Sequence, residues 1–242
     1  LKDPEILIYQ NNTEARLRHK KGELIYTIAV ATPISDKYGN IFPVGQQVLF
    51  GVAQAQNKAA NEPGSKINLE IVIANDLNSE DQAEEVAKGL VKLSLDGDRR
   101  KIRAIIGHYT SPVTCRALKY YNSPGLVVIS STSSRSDLRK SCGATNFFRT
   151  TTSNIVEART LANYISDSNR SKISEPKIFV FYKKGEGFSQ DLLEQFKQEL
   201  PKRVNIIREI NLSNSNDVKE ALNSINDVNV FAVFPDGKTD DS

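Results

Sequence analysis

The sequence predicts an α/β protein of two doubly wound parallel-sheet lobes, the second of them incomplete. Three observations carry this prediction. First, 242 residues with 39% hydrophobic and 25% charged content have the composition of a soluble globular chain. Folding at that length buries roughly three quarters of the unfolded surface, enough for one large core or two smaller ones. Second, short apolar runs alternate with segments whose apolar residues recur at helical spacing, the pattern of βαβ units. Third, the hydroxyl-rich stretch Thr150-Thr151-Thr152-Ser153-Asn154 separates two such blocks and reads as a hinge or linker. The expected organisation is a polar lead over 1–23, a first lobe over 24–150 and a partial second lobe over 151–242.

After the lead, the run 24–32 is short, continuous and β-branched, as a strand buried on both faces should be. Val44, Val48, Leu49 and Val52 then recur at helical spacing within 44–60. Ile67, Leu69, Ile71 and Ile73 alternate with polar or small residues, which predicts a half-buried edge strand. The capping box Ser79-Glu80-Asp81-Gln82 opens a helix with the stripe Ala83, Val86, Ala87, Leu90 and Val91. Strand 102–107, helix 112–121, strand 126–129 and a short strand 147–149 complete the first block. Crossovers of this length force parallel pairing with right-handed connections. In the second block Ser153 caps a helix with the face Ile155, Ala158, Ala162 and Ile165. Strand 178–182, helix 189–200, strand 204–210, helix 216–225 and strand 228–234 follow.

The ends of the sequence add expectations of their own. Leu1-Lys2-Asp3-Pro4 is neither an initiator start nor a secretory signal, and Met is absent throughout, so the chain reads as a processed, excised or incomplete segment. Thr239-Asp240-Asp241-Ser242 reads as the cap of a further helix. Thirty-two Lys and Arg against 29 Asp and Glu leave +3 with the signs interspersed, which argues against nucleic acid or an anionic membrane as partner. The basic patches 16–21 and 98–101 read as solvated loops, and no apolar run approaches the roughly 20 residues that cross a bilayer.

Ligands of open doubly wound sheets bind outside the carboxyl ends of the strands, where strand order reverses. The loops there are 33–43, 108–111 and 130–136, and the last two are rich in hydroxyls: Tyr109-Thr110-Ser111-Pro112 and Ser130-Ser131-Thr132-Ser133-Ser134. Ser111 before Pro112 has the pattern of an N-cap followed by proline at N1, which would aim free N–H groups and a positive dipole end into the crevice, where a carboxylate is the natural guest. Equally, Ser111 could do no more than cap its helix, with the Ser/Thr run a polar loop.

Ile105-Ile106-Gly107-His108-Tyr109-Thr110-Ser111, then 126–134, Ser136-Asp137-Leu138 and Phe147-Phe148-Arg149-Thr150 resemble the type I periplasmic binding proteins, in the leucine/isoleucine/valine-binding and receptor ligand-binding branch. The opening Ala31-Thr32-Pro33-Ile34-Ser35, with Gly45, Gly51-Val52-Ala53 and Asn57, is similar to that family too, and the likeness runs in order over 25–234. The resemblance implies a two-lobed protein that closes by hinge motion on a small ligand, most simply an amino acid, with no cofactor and no chemistry. It implies that Ser111 binds the ligand α-carboxylate with the Thr132 backbone and the Ser134 side chain, and that Tyr109, Thr110 and Ser133 lie beside them. An aromatic contact from the first loop falls near Phe42 or Val44. In the second lobe the loop 183–188 places Phe188 where Tyr is common, and the acidic residue that holds the ligand ammonium falls beyond Ser242. Implied partners are an ABC permease or a membrane signalling protein, and the implied location is periplasmic or extracytoplasmic, with tethering through a segment outside this sequence. In an exported protein the isolated pair Cys115 and Cys142 is expected to be bridged.

Other chemistry finds less support. Gly185-Glu186-Gly187 lacks the third glycine of a dinucleotide fingerprint and the Lys-Ser/Thr of a P-loop. His19 and His108 with the two cysteines have no zinc spacing. A Ser111/His108 pair is conceivable, but no nucleophile elbow or orienting acid accompanies it, which argues against an enzyme. A LacI-type sugar or effector domain is the alternative reading; it would need a helix-turn-helix ahead of the first strand, and 1–23 offers none.

Overall fold

The computed structural model describes residues 3–65, 67–95 and 101–235. The chain divides into unit 1, Leu1–Ser133 with Asp137–Thr151, and unit 2, Ser134–Ser136 with Thr152–Ser242. Residues 98–100 of the second basic patch and the cap expected at 239–242 lie outside the described residues, as do Leu1 and Lys2.

Unit 1 runs α1 (Pro4–Lys20), β1 (Tyr26–Thr32), α2 (Pro43–Asn61), β2 (Leu69–Asn75), α3 (Glu80–Leu95), β3 (Ile102–Gly107), α4 (Ser111–Tyr121), β4 (Val127–Ser130), α5 (Leu138–Ser141) and β5 (Phe147–Arg149). Its sheet is parallel in the order β2-β1-β3-β4-β5, so the alternating strand β2 is at the edge. β1, between β2 and β3, packs on both faces. Ala29 and Ala31 join Ala83, Ala87 and Leu90 of α3 and Val113, Ala117 and Leu118 of α4 in one core. Val30 and Ile71 join Ile8 of α1 and Leu49, Val52 and Ala53 of α2 in the other. Helices on both faces are what a parallel sheet requires. The sulfur of Cys115 in α4 is bonded to that of Cys142 just after α5, with the Cα atoms 5.3 Å apart.

The N-terminal segment corrects the sequence reading, because the expected lead is mostly helix. Asp3 caps α1 by accepting the amides of Glu5 at 2.8 Å and Ile6 at 3.4 Å, Pro4 starts the helix, and Arg18, His19 and Lys20 end it where the dipole favours cations. The buried positions are Pro4, Ile8, Asn12 and Ala15; polar and small residues on the inward face erase the apolar stripe by which a helix is recognised. That face does the work of a missing strand. Asn12 donates Nδ2–H to the Ile71 carbonyl and accepts the Ile71 amide, both at 2.8 Å, while Asn68 Nδ2 donates to the Ala15 carbonyl at 2.9 Å. The helix thereby covers the open edge of β2, which would otherwise be free to pair with another chain. Arg16, expected in a solvated loop, lies in α1 and pairs with buried Glu70 of β2 at 2.5 Å.

Unit 2 contains α6 (Asn154–Ser166), α7 (Ser168–Ser171), β6 (Lys177–Tyr182), α8 (Gly187–Glu199), β7 (Asn205–Asn211), α9 (Ser215–Asn223), a 3-10 turn (Ile225–Asp227) and β8 (Val230–Phe234). The described strands form a parallel sheet in the order β7-β6-β8. Ile178 and Val180 face α6 and α8 through Ala158, Ala162, Leu192, Leu193 and Phe196; Phe179 and Ile210 pack with Ala221 of α9 on the other side. Ser134–Ser136 group with this unit because Asp191 of α8 accepts the Ser136 amide at 2.8 Å and its hydroxyl at 2.5 Å, while the Ser134 carbonyl accepts the Asn154 amide at 2.8 Å. The chain therefore passes between the units on both sides of Ser134–Ser136 as well as near Thr152.

Candidate functional site

In unit 1 the strand order reverses beside β1, whose neighbours β2 and β3 lead the chain away in opposite directions. The loops at their carboxyl ends line the crevice that this topology opens. The loop after β1 is braced from β2: Asn75 Oδ1 accepts the Ile34 amide at 3.0 Å, and its Nδ2 donates to Ser35 Oγ at 2.9 Å. A tight turn follows in which Asp36 accepts the amides of Tyr38 and Asn40 at 2.8 Å, and its hydrogen bonds, led by that from the Asn40 side chain, hold its carboxyl below the ordinary range. Half-buried Phe42 occupies the N-cap position of α2, its amide bonded to the Ile34 carbonyl at 2.9 Å.

Two glycines let the backbone close around this point. A Cβ on Gly45 would stand 1.7 Å from the Pro33 carbonyl oxygen, and one on Gly107 would stand 1.8 Å from that of Ala31. Gly107 also has φ +129°, a conformation that L side chains rarely adopt. It ends β3 and delivers the chain into His108.

His108 is 1% exposed, with Nδ1 2.7 Å from Asp76 Oδ2 and Nε2 3.0 Å from the Tyr121 hydroxyl. Both ring nitrogens are therefore engaged, so the conceivable pairing of His108 with Ser111 as nucleophile and base is not what the structure builds. Burial first, and the charge of Asp76 second, push the Tyr121 phenol up. The next residues meet the loop after β4. Ser130 Oγ donates to the His108 carbonyl at 2.9 Å, and the Tyr109 carbonyl accepts Thr132 Oγ1 at 2.7 Å and Ser133 Oγ at 3.1 Å. Ser133 and Thr114 hydroxyls are 2.5 Å apart.

At the helix start the structure shifts the expected cap by one residue. Thr110 is the N-cap, extended at φ −85° and ψ 152°, its carbonyl accepting the Thr114 amide at 2.9 Å, while its own Oγ1 donates to Asn78 Oδ1 at 2.8 Å. Ser111 is thus the first helical residue, buried at 3% exposure, and Pro112 the second. Neither the Ser111 nor the Val113 amide has an acceptor inside the helix, so the dipole end persists whichever residue caps it.

Tyr109, Thr110, Ser111, Thr132 and Ser133 are thus brought together in unit 1. The Thr132 and Ser133 side chains donate to the Tyr109 carbonyl of the neighbouring loop, and the first-turn amides of α4 stand beside buried Ser111 at the dipole end that suits an anion. Phe42 stands at the start of α2 in the same unit. Ser134 and Phe188 lie in unit 2, where Phe188 is the second residue of α8, its amide bonded to Glu186 Oε2 at 2.9 Å and its carbonyl to Asn154 Nδ2 at 3.2 Å. Asp76, Asn78 and Tyr121 are the supporting residues that sequence reasoning missed; an acid and an amide right after an edge strand were the only signal available. Among the described residues no group of three or more His, Cys, Asp or Glu side chains is placed to hold a metal ion, and no helix is long and apolar enough to cross a membrane.

Comparison with known proteins gives a consistent picture. A family model described as periplasmic binding protein matches residues 26–236. Among solved structures the chain is similar to an ABC transporter substrate-binding protein from Desulfitobacterium hafniense, with TM-score 0.68 and 20% identity over 89% of this chain and 59% of that one. It is also similar to the branched-chain amino acid transporter substrate binding protein LivJ from Streptococcus pneumoniae in complex with isoleucine, with TM-score 0.62 and 19% identity over 87% of this chain and 57% of that one. The leucine binding protein LivK from Thermotoga maritima gives TM-score 0.67 and 14% identity over 86% and 55%. The chain thus spans less than two thirds of the length of these structures. No curated protein matches it.

Proposed function

Because this chain belongs to the periplasmic binding protein family, we propose that it acts as an extracytoplasmic solute receptor, which binds a small carboxylate-bearing ligand and carries out no reaction on it. The observation that carries this reading is the first turn of α4: buried Ser111 and the helix amides end a loop held on three sides, at the point where a doubly wound sheet places its ligand. The ligand α-carboxylate is received by the Ser111 hydroxyl and the amides of that turn, with the Thr132 backbone beside them. An amino acid of the branched-chain type fits the branch, since similar proteins have been solved with isoleucine or leucine bound. Ser134, Phe188 and Phe42 complete the set of proposed contacts, and the second lobe closes by hinge motion, which shifts an existing open and closed equilibrium. An ABC permease or a membrane signalling protein is the partner that would read the closed state.

Calorimetric titration of the protein with a panel of amino acids tests this. The expected result is saturable binding of at least one of them, weakened about tenfold or more by Ser111→Ala through loss of a charge-assisted hydrogen bond. An absence of binding at millimolar concentration, or affinity untouched by Ser111→Ala, would overturn it.

A further inference from the structure

The polar network behind the α4 turn centres on a side chain that no ligand can touch. His108 and Asp76 side chains are both fully enclosed and hydrogen-bonded to each other. Asp76 Oδ1 accepts the Asn78 amide at 3.0 Å, and Oδ2, 2.7 Å from Nδ1, is an acceptor as well. This geometry suits a proton on Nδ1, with Nε2 accepting from the Tyr121 hydroxyl 3.0 Å away. With the proton on Nδ1, a chain of donation runs from Tyr121 through His108 to Asp76, and the His108 and Tyr121 rings lie 5.9 Å apart at their centroids with planes 23° apart. It ties the end of β2, the end of β3 and the last residue of α4 to one imidazole.

The backbone of the same residue is tied on the opposite side. Its carbonyl accepts Ser130 Oγ at 2.9 Å, and the next carbonyl accepts Thr132 and Ser133. Thr110 is anchored on Asn78, two residues beyond Asp76. Only Tyr109 and Thr110 separate this knot from Ser111, so the imidazole sets where the helix turn and the hydroxyl loop stand relative to each other.

We propose that His108 is the positioning residue of the α4 anion site, its imidazole locked as the Nδ1–H tautomer between Asp76 and Tyr121. This deepens the carboxylate reading of Ser111 and rests on it. His108 touches no ligand and transfers no proton; it acts by holding the 108–111 loop in one path, as preorganised sites require.

The test uses Tyr121→Phe, which removes one oxygen and keeps the ring, and His108→Asn, whose side-chain amide can still donate to Asp76. Three readouts are needed: the side-chain nitrogen spectrum of His108, amide hydrogen exchange over 109–114 compared with β1, and the affinity for leucine. Expected are a pure Nδ1–H tautomer in the wild type and, because Asp76 still accepts from Nδ1, in Tyr121→Phe as well, where the Nε2 resonance shifts for loss of its hydrogen-bond donor. Exchange over 109–114 should quicken about tenfold in both variants with β1 unchanged, and leucine should bind about tenfold more weakly. A wild-type Nε2–H or doubly protonated ring would overturn the proposal, as would exchange and affinity at wild-type values in both variants. Should the wild type bind no amino acid, the carboxylate reading fails on its own, while tautomer and exchange still decide whether His108 positions the loop.

Discussion

Asn12 shows how much a single side chain can carry. Its carboxamide supplies the Ile71 amide and carbonyl of edge strand β2 with the partners a neighbouring strand would give, and its Oδ1 also accepts Gln56 Nε2 at 2.8 Å. Asn12→Ala leaves buried donors and an acceptor without partners, and unsatisfied groups of that kind cost about 1–3 kcal/mol each. The expected outcome is a loss of about 2 kcal/mol or more in urea unfolding; a change below about 0.5 kcal/mol, typical of a surface site, would contradict the assignment of α1 as the cover of β2. Gly107 constrains its own position as firmly, since any side chain there would run into the Ala31 carbonyl.

At the scale of elements, α3 and α4 are joined by a cluster around Glu84. Its carboxylate lies 2.8 Å from Lys88 Nζ, 2.5 Å from the Tyr120 hydroxyl and 2.6 Å from Arg116 Nη2. Lys88 first, then Tyr120 and the Arg116 charge, pull its pKa from an ordinary 4.5 to about 2 against the effect of burial. A carboxylate depressed in the folded state stabilises fully above its unfolded pKa and loses that contribution as pH falls through the folded one. Thermal melts of wild type and Glu84→Gln should therefore differ most at neutral pH, converge as pH drops below 4.5 and coincide near 2; parallel curves across that range would refute the coupling. Most elements were legible in the sequence, because strands such as 102–107 and helices such as 80–95 state their period in apolar residues. Helix α1 was not, because it buries Asn12 and Ala15 where the pattern demands large apolar side chains. The cap of α4 moved by one residue for a related reason: Ser, Thr and Pro in sequence allow two registers, and the bond from Thr110 to Asn78, formed only in the fold, selects one.

For the whole molecule, the two units divide the candidate residues between them, and the sequence located the loops better than it located their supports. The meeting of the 108–111 and 130–134 loops was legible because hydroxyls crowd the carboxyl ends of consecutive strands. Asp76 and Tyr121 were not, since they stand 32 and 13 residues from His108 and meet it only through the sheet order. The boundary between units was read as one hydroxyl-rich stretch, whereas Ser134–Ser136 belong with unit 2 through Asp191, a partner 55 residues away. Under the proposed function, unit 1 captures the ligand carboxylate at the first turn of α4. A titration with leucine followed in the amide proton–nitrogen spectrum measures it at the site itself. The largest saturable shifts are expected on the amides of Ser111, Val113 and Thr132; saturation with those three unmoved and the largest shifts elsewhere would refute capture at that turn.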